Sequence, residues 1–272
     1  MPRSPQLLDI ESLLARVPLF AGMKKRELAH LASGAREIEA ARGDVLFRKE
    51  QACAGLYLLI EGQVKLFFAS PAGHEKIFEI VAPGQTFGES ALFQATHHQG
   101  CAQTLSYCRL LHVDKAVIMD RIGKSPAFAR RVIECLSQRL FELTQDVESY
   151  SLDSGRQRVV NYLVREALGV TRAHGQNTLT VTLPTSKGAI ASRLSLTQEH
   201  FSRLLHELSA YELLSIEGRD VHIKDLARLR QCTGRNAPPH APRSMESVSL
   251  VGKRRITQPA RRRSSRAPML IG

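Results

Sequence analysis

The sequence predicts an α+β protein: an N-terminal β-roll of the jelly-roll kind, one long helix, and a C-terminal winged helix-turn-helix. Three observations predict it. Residues 38–113 hold short β-branched and aromatic runs cut by glycine turns. Residues 133–150 carry a heptad seam. The stretch SLTQEHFSRLLHEL at 195–208 pairs an apolar stripe with a polar face that needs a partner.

The elements follow in order. Residues 7–34 read as two short helices: Leu7, Ile10, Leu13 and Leu14 form one stripe, Pro18 breaks it, and Lys24 to Ala32 resumes the pattern. From Ile38 to about Val113 come VLF at 45–47, LYLLI at 56–60, VKLFF at 64–68 and KIFEI at 76–80. RGD at 42–44, EG at 61–62, PAG at 71–73 and APG at 82–84 separate them. That texture suits a sandwich, barrel or jelly roll. Pro126 opens a long helix in which Ile133, Leu136, Leu140, Leu143, Val147 and Tyr150 recur at alternating steps of three and four. A stripe this narrow favours pairing with a second helix over packing on its own domain, which makes Ile133, Leu136, Leu140, Leu143 and Val147 the expected dimer interface. Ser154-Gly155 ends it. A further helix runs to about Leu168, RAHGQN at 172–177 is a loop, and TLTVTLP at 178–184 alternates like a strand. The expected division is a roll with N-terminal helices at 1–125, a dimerisation helix at 126–152, a winged helix-turn-helix at 153–232, and a disordered basic tail at 233–272.

Charge alone does not carry the function. The net charge is +12, but the tail from Thr233 onward holds nine Lys/Arg against Glu246, a net +8 that leaves +4 for the rest. KRR at 253–255 and RRR at 261–263 can brush phosphates or simply stay solvated. No run of about 18 apolar residues suggests a membrane span, and no secretory signal is apparent. Five scattered cysteines without a CxxC pair fit a reducing cytoplasm.

Lys187 to Leu208 reads as a helix-turn-helix. Ile190, Ala191 and Leu194 face inward from the first helix, Leu196 sits in the turn, Thr197 is the expected N-cap of the second helix, and Phe201 and Leu204 close the small core. Ser195 stands in the turn where glycine is common. Gln198, Glu199, Ser202 and Arg203 then share the outer face, where arginine suits guanine O6 and N7 and glutamate suits cytosine N4. Lys187, Arg193, Thr197 and His206 are placed for phosphates. LLSIEGRDVHI at 213–223 supplies a hairpin wing around Glu217-Gly218-Arg219-Asp220.

With these residues in view, the chain resembles the Crp-Fnr family of bacterial transcription regulators, from about Leu13 to Leu229. The resemblance rests on VPLF at 17–20, the glycine-spaced roll, FGE at 87–89, the long helix, and EHFSR at 199–203 followed by LLHEL. It implies a cyclic-nucleotide-binding-like sensor roll. It also implies that Glu199, Ser202 and Arg203 act like the reading triad of the Fnr branch, on TTGAT-like half-sites in a palindrome. Gln198 stands where the cyclic AMP receptor branch carries an arginine. The implied partners are double-stranded DNA, a second copy of the chain, RNA polymerase and nitric oxide, with no membrane and no catalysis.

The resemblance also frames the effector. Phe87, Gly88, Glu89, Ser90, His97 and His98 are the expected effector pocket. The cyclic-AMP branch adds an Arg-Ser/Thr pair, and HHQGCAQT at 97–104 has no arginine, so cyclic AMP is not expected. Oxygen-sensing relatives cluster cysteines near the N-terminus. Here none precedes Cys53, and Cys53, Cys101, Cys108 and Cys135 lack cluster spacing, so no iron–sulfur cluster is expected. GHEKIFEI at 73–80 resembles the Dnr-like branch, which implies nitric oxide sensing through haem. Candidate axial ligands are His97 or His98 first, then His74, His30 and His112. Cys101 or Cys108 as a redox thiol stays open. So does control by abundance. A cupin-like enzyme would need an HxH set that is absent, and a nucleotide-gated regulatory subunit would not need a helix-turn-helix.

Overall fold

Two antiparallel four-stranded sheets, face to face, form the N-terminal half. The computed structural model describes residues 9–93, 97–171 and 179–232. Ahead of the sheets come α1 (Ile10–Ala15), a 3-10 turn at Pro18–Phe20, and α2 (Lys25–Ser33). The strands are β1 (Ala35–Ala40), β2 (Val45–Phe47), β3 (Gly55–Glu61), β4 (Val64–Ala69), β5 (Glu75–Val81), β6 (Thr86–Phe87), β7 (Cys101–Thr104) and β8 (Cys108–Asp114), with the short helix α3 (Glu89–Phe93) after β6. One sheet runs β1-β8-β3-β6 and the other β2-β7-β4-β5.

Strands β3 and β8 show why their sequence is continuously apolar. Leu59 and Leu110 enter the space between the sheets with Phe47, Val64, Phe87 and Ala102. Leu56, Leu58, Leu111 and Val113 point the other way, into a second core capped by the N-terminal helices through Leu14, Phe20 and Leu31. A sheet buried on both faces loses the alternation of a half-buried one. The glycine turns fall where strands reverse, and Gly43, Gly62, Gly73 and Gly84 all take positive φ, between 82° and 92°. Gly62 has a second constraint: a Cβ there would come 2.2 Å from the Tyr107 carbonyl oxygen.

After the roll, α4 (Lys115–Lys124) occupies a segment for which the sequence pattern suggests no element. Ile118 is fully buried, and Val117 and Ile122 pack beside it on the second core. Ser125 then caps α5 (Pro126–Leu152) by accepting from the Phe128 N–H at 3.3 Å. Phe128 stacks on Phe20 at 5.9 Å and ties the start of α5 to the second core. Along α5, Ile133, Leu140, Leu143 and Val147 are exposed, at 63%, 67%, 46% and 64%. Leu136 departs from that seam and packs half-buried against its own protomer.

The C-terminal module holds α6 (Gly155–Thr171), β9 (Leu179–Thr182), α7 (Lys187–Arg193), α8 (Gln198–Ala210), β10 (Leu214–Glu217), β11 (Asp220–Ile223) and α9 (Leu226–Gln231). Its sheet order is β10-β11-β9. Val159, Leu163, Val181, Ile190, Leu194, Phe201, Leu205 and Leu208 share one core. The expected loop at 172–177 and the tail at 233–272 lie outside the described residues. No described helix is long and apolar enough to cross a membrane.

Phe201 is fully buried at the centre of that core. Phe201→Ala is expected to cost about 3–5 kcal/mol, the range for truncating a buried aromatic, read as a lowered urea midpoint.

Candidate nucleic-acid interface and effector cavity

Local chemistry builds the helix-turn-helix. The Ser186 hydroxyl caps α7 by accepting from the Ala189 N–H at 3.2 Å. The chain turns at Ser195 with φ 55°, and the Leu196 N–H closes the turn on the Ala191 carbonyl at 2.9 Å. Thr197 caps α8 through the His200 N–H at 3.2 Å. Thr197 is therefore placed to hold the helix start.

Burial of Phe201, Leu204, Leu205 and Leu208 turns the opposite side of α8 outward. Gln198, Glu199, Arg203 and His206 are exposed and Ser202 is half-exposed. The Arg203 side chain, 69% exposed, approaches Glu207 only to 4.0 Å, while Arg156 holds that carboxylate at 2.9 Å. Lys187 opens α7 half-exposed. The wing is a two-residue hairpin, Glu217 pairing with Asp220. Gly218, at φ 60°, takes the first loop position where glycine is favoured. Arg219 donates to the Leu183 carbonyl at 3.0 and 2.7 Å and braces the wing on β9. Sequence reasoning did not single out that arginine, because its acceptor is a distant backbone group.

Arg193 corrects the phosphate expectation. Its guanidinium is bound to Asp146 at 2.5 Å and to the Tyr150 hydroxyl, both on α5, so it is held against its own protein.

A second feature lies between the roll and α5. A cavity of about 760 Å³ is lined by Phe47, Leu66, Phe68 and Phe78 from the roll and by Leu136 and Leu143 from α5. Gly88, Glu89, Ser90 and His98 line it, whereas Phe87 is buried between the sheets and His97 lies on the outside. The two adjacent histidines separate because extended residues point to opposite sides. His97 forms an isolated bridge with Ala52. His98, 4% exposed, stacks on Phe47 with ring centroids 3.7 Å apart. Burial pulls its pKa down, so the ring is neutral near pH 7.

The other histidine candidates do not line the cavity. His30 pairs with Asp120 at 3.0 Å on the surface. His74 sits in the β4–β5 turn, its N–H bonded to Ser70. His112 is fully buried and edge-on to Tyr57, with Gly55 packed so closely that a Cβ there would come 2.7 Å from its ring. Burial, helped by Arg36, pushes its pKa down. Cys108 is buried in the roll core, while Cys101 and Cys135 reach the cavity wall. Arg131 and Arg139 also reach it from α5, and Arg139 is ion-paired with Glu79. Burial raises the Glu79 pKa and Arg139 opposes that rise. These arginines come from a helix far along the chain, which is why the 97–104 segment did not reveal them.

Comparison with known proteins agrees with both halves. Residues 37–124 match the cyclic nucleotide-binding domain family, and residues 157–232 match the Crp-like helix-turn-helix domain family. The chain is 24% identical to a CRP-like cAMP-activated global transcriptional regulator of Mycobacterium tuberculosis, over 81% of this chain and 98% of that one. It is 25% identical to the anaerobic regulatory protein of Haemophilus influenzae, over 72% of this chain and 75% of that one. The structure of FixK2 from Bradyrhizobium japonicum superposes with a TM-score of 0.65 at 20% identity, covering 74% of this chain and 98% of that chain, and so shares the fold. Together the two domain matches take in more than half of the chain, which belongs to the Crp-Fnr family of DNA-binding transcription regulators.

Ser195 holds a left-handed conformation that costs a residue with a side chain about 1–2 kcal/mol. Ser195→Gly is therefore expected to stabilise the protein by about 0.5–1 kcal/mol after the added chain entropy of glycine, read from a denaturant midpoint.

Proposed function

We propose that the protein is a homodimeric regulator that reads TTGAT-like half-sites in a palindrome and is controlled by an effector other than cyclic AMP. The observation that carries this reading is the outward face of α8, where Glu199, Ser202 and Arg203 stand together on a helix whose other side is buried. Gln198 joins that face, and Lys187, His206 and the capped start of α8 at Thr197 supply phosphate contacts. The exposed seam of Ile133, Leu140, Leu143 and Val147 pairs two copies, so that their recognition helices meet the major groove about 34 Å apart. RNA polymerase is the next partner, and the protein works in the cytoplasm.

Removing a bidentate base contact costs about 1–3 kcal/mol. Arg203→Ala is expected to weaken palindrome binding by that amount and relax preference at one base pair, measured by anisotropy on single-base variants. Wild-type affinity and selectivity in Arg203→Ala would contradict the assignment.

For the effector, the favoured reading is nitric oxide sensed through haem. A 760 Å³ cavity lies within the range of small-molecule and cofactor sites. Its walls combine aromatic and aliphatic side chains with the charged Glu79, Glu89, Arg131 and Arg139, and His98 presents a neutral imidazole there, the form that binds iron. Haem would supply an iron that binds nitric oxide. His98 would hold that iron, and Phe47, Phe68 and Phe78 would supply apolar surroundings for the group. The M. tuberculosis relative is named as cAMP-activated. Here the segment 97–104 offers no arginine; of the two arginines that reach the cavity from α5, Arg139 is paired with Glu79 and Arg131 remains.

Titration with haem is expected to give a saturable Soret band in wild type and in His97→Ala, and none in His98→Ala. Retention of the band in His98→Ala would overturn the ligand, and saturable cyclic AMP binding to the wild type would overturn the effector.

A further inference from the structure

The roll holds the helix-turn-helix through a polar junction that the DNA-reading face does not use. Lys76 on β5 extends its ammonium to the last carbonyls of α7, donating to Ser192 at 2.5 Å and to Arg193 at 3.3 Å. The Ser192 carbonyl also accepts from the Ser195 N–H at 3.1 Å, and a cation at this end of α7 meets the negative end of the helix dipole. The Tyr150 hydroxyl on α5 donates to the same Arg193 carbonyl at 2.6 Å. The Lys76 ammonium lies over the Tyr150 ring at 4.8 Å. Asp146 clamps the Arg193 guanidinium, as described above. The Ile77 N–H donates to the Ser192 hydroxyl at 3.0 Å, and Ala189 packs beside Phe67 and Ile77. Two elements from distant parts of the chain, β5 and α5, thus meet at the end of one short helix.

The position is uncomfortable for a lysine. Burial, with Arg193 and Arg158 nearby and only Asp146 opposing them, pushes the Lys76 pKa down to about 8.

We propose that Lys76 and Tyr150, with Asp146, form a latch that positions the helix-turn-helix for reading DNA, a role that rests on the regulator reading above. An inhibitory contact that acted by occlusion would cover the recognition face. This one grips the far side of α7 and leaves Gln198, Glu199 and Arg203 open. Two modules that must meet successive major grooves lose affinity when each is free to swing, because the orientational freedom is then lost on binding. Lys76 and Tyr150 are positioning residues and touch no base.

The test uses the full chain with a pair of probes at Ala72, on the β4–β5 turn, and Ala210, at the end of α8, both exposed. The probes are introduced as unnatural amino acids, since the five native cysteines would react with thiol reagents. With labelled chain diluted into an excess of unlabelled chain, so that a dimer carries one probe pair, wild type is expected to give one narrow distance distribution. Lys76→Met, which keeps the apolar stem, and Tyr150→Phe, which removes one hydroxyl, are expected to broaden it. Both variants are also expected to lose roughly tenfold in affinity for a palindromic duplex, as preorganisation is lost. They should no longer distinguish the preferred half-site spacing from spacings one base pair longer or shorter. A merely structural role would lower stability and leave the spacing preference intact. Narrow distributions in both variants, an unchanged spacing preference, or tighter DNA binding would each overturn the latch. Failure of the wild type to bind any palindrome would count against the regulator reading instead, and the distances would still decide whether Lys76 and Tyr150 hold the module.

Discussion

The buried stripe of α8 sets the direction of everything outside it. Phe201, Leu204, Leu205 and Leu208 face α6, α7 and the small sheet, so the helix cannot roll about its axis without exposing them. Burying such side chains contributes about 1.5–3 kcal/mol each. With that rotation fixed, Gln198, Glu199, Ser202 and Arg203 have only one direction in which to look. The Thr197 cap fixes where the helix starts, and the turn at Ser195 fixes its angle to α7. Specific base contacts require this kind of positioning, because hydrogen bonds weaken steeply with angle.

The same economy of elements joins the cavity to the DNA-binding module. Strand β5 contributes Phe78 and Glu79 to the cavity wall and Lys76 to the grip on α7. Helix α5 contributes Arg139 and Leu143 to the wall, then Asp146 and Tyr150 to the grip. A ligand that moved β5 relative to α5 would therefore act on two elements that already hold α7. Effector control in two-state terms needs such an element, one whose arrangement both sites can bias.

Much of this was legible in the sequence, and the exceptions have physical causes. The glycine turns, the heptad seam and the stripe in 195–208 are local patterns, and the elements formed where those patterns placed them. Helix α4 was not legible, because it is short and its apolar run Ala116 to Met119 does not by itself tell helix from strand. Arg193 looks like a phosphate ligand in its own helix; Asp146 and Tyr150, which claim it, lie more than forty residues earlier. Leu136 keeps the heptad spacing yet packs inward, since the start of α5 is pinned to the roll by Phe128. Adjacent histidines cannot be told apart by sequence, and strand geometry sends His98 to the cavity and His97 outward. Arg131 and Arg139 were missed because a cavity between a roll and a helix draws its lining from two distant segments.

The most direct measurement of the central claim is an equilibrium titration of the purified chain onto a TTGAT-type palindrome and onto a duplex with both half-sites scrambled, repeated across salt. The account predicts two chains per palindrome. It predicts an affinity at least about a thousandfold tighter than for the scrambled duplex. Both should weaken with salt, as phosphate contacts require. Equal affinity for the two duplexes, or one chain bound per palindrome, would contradict it.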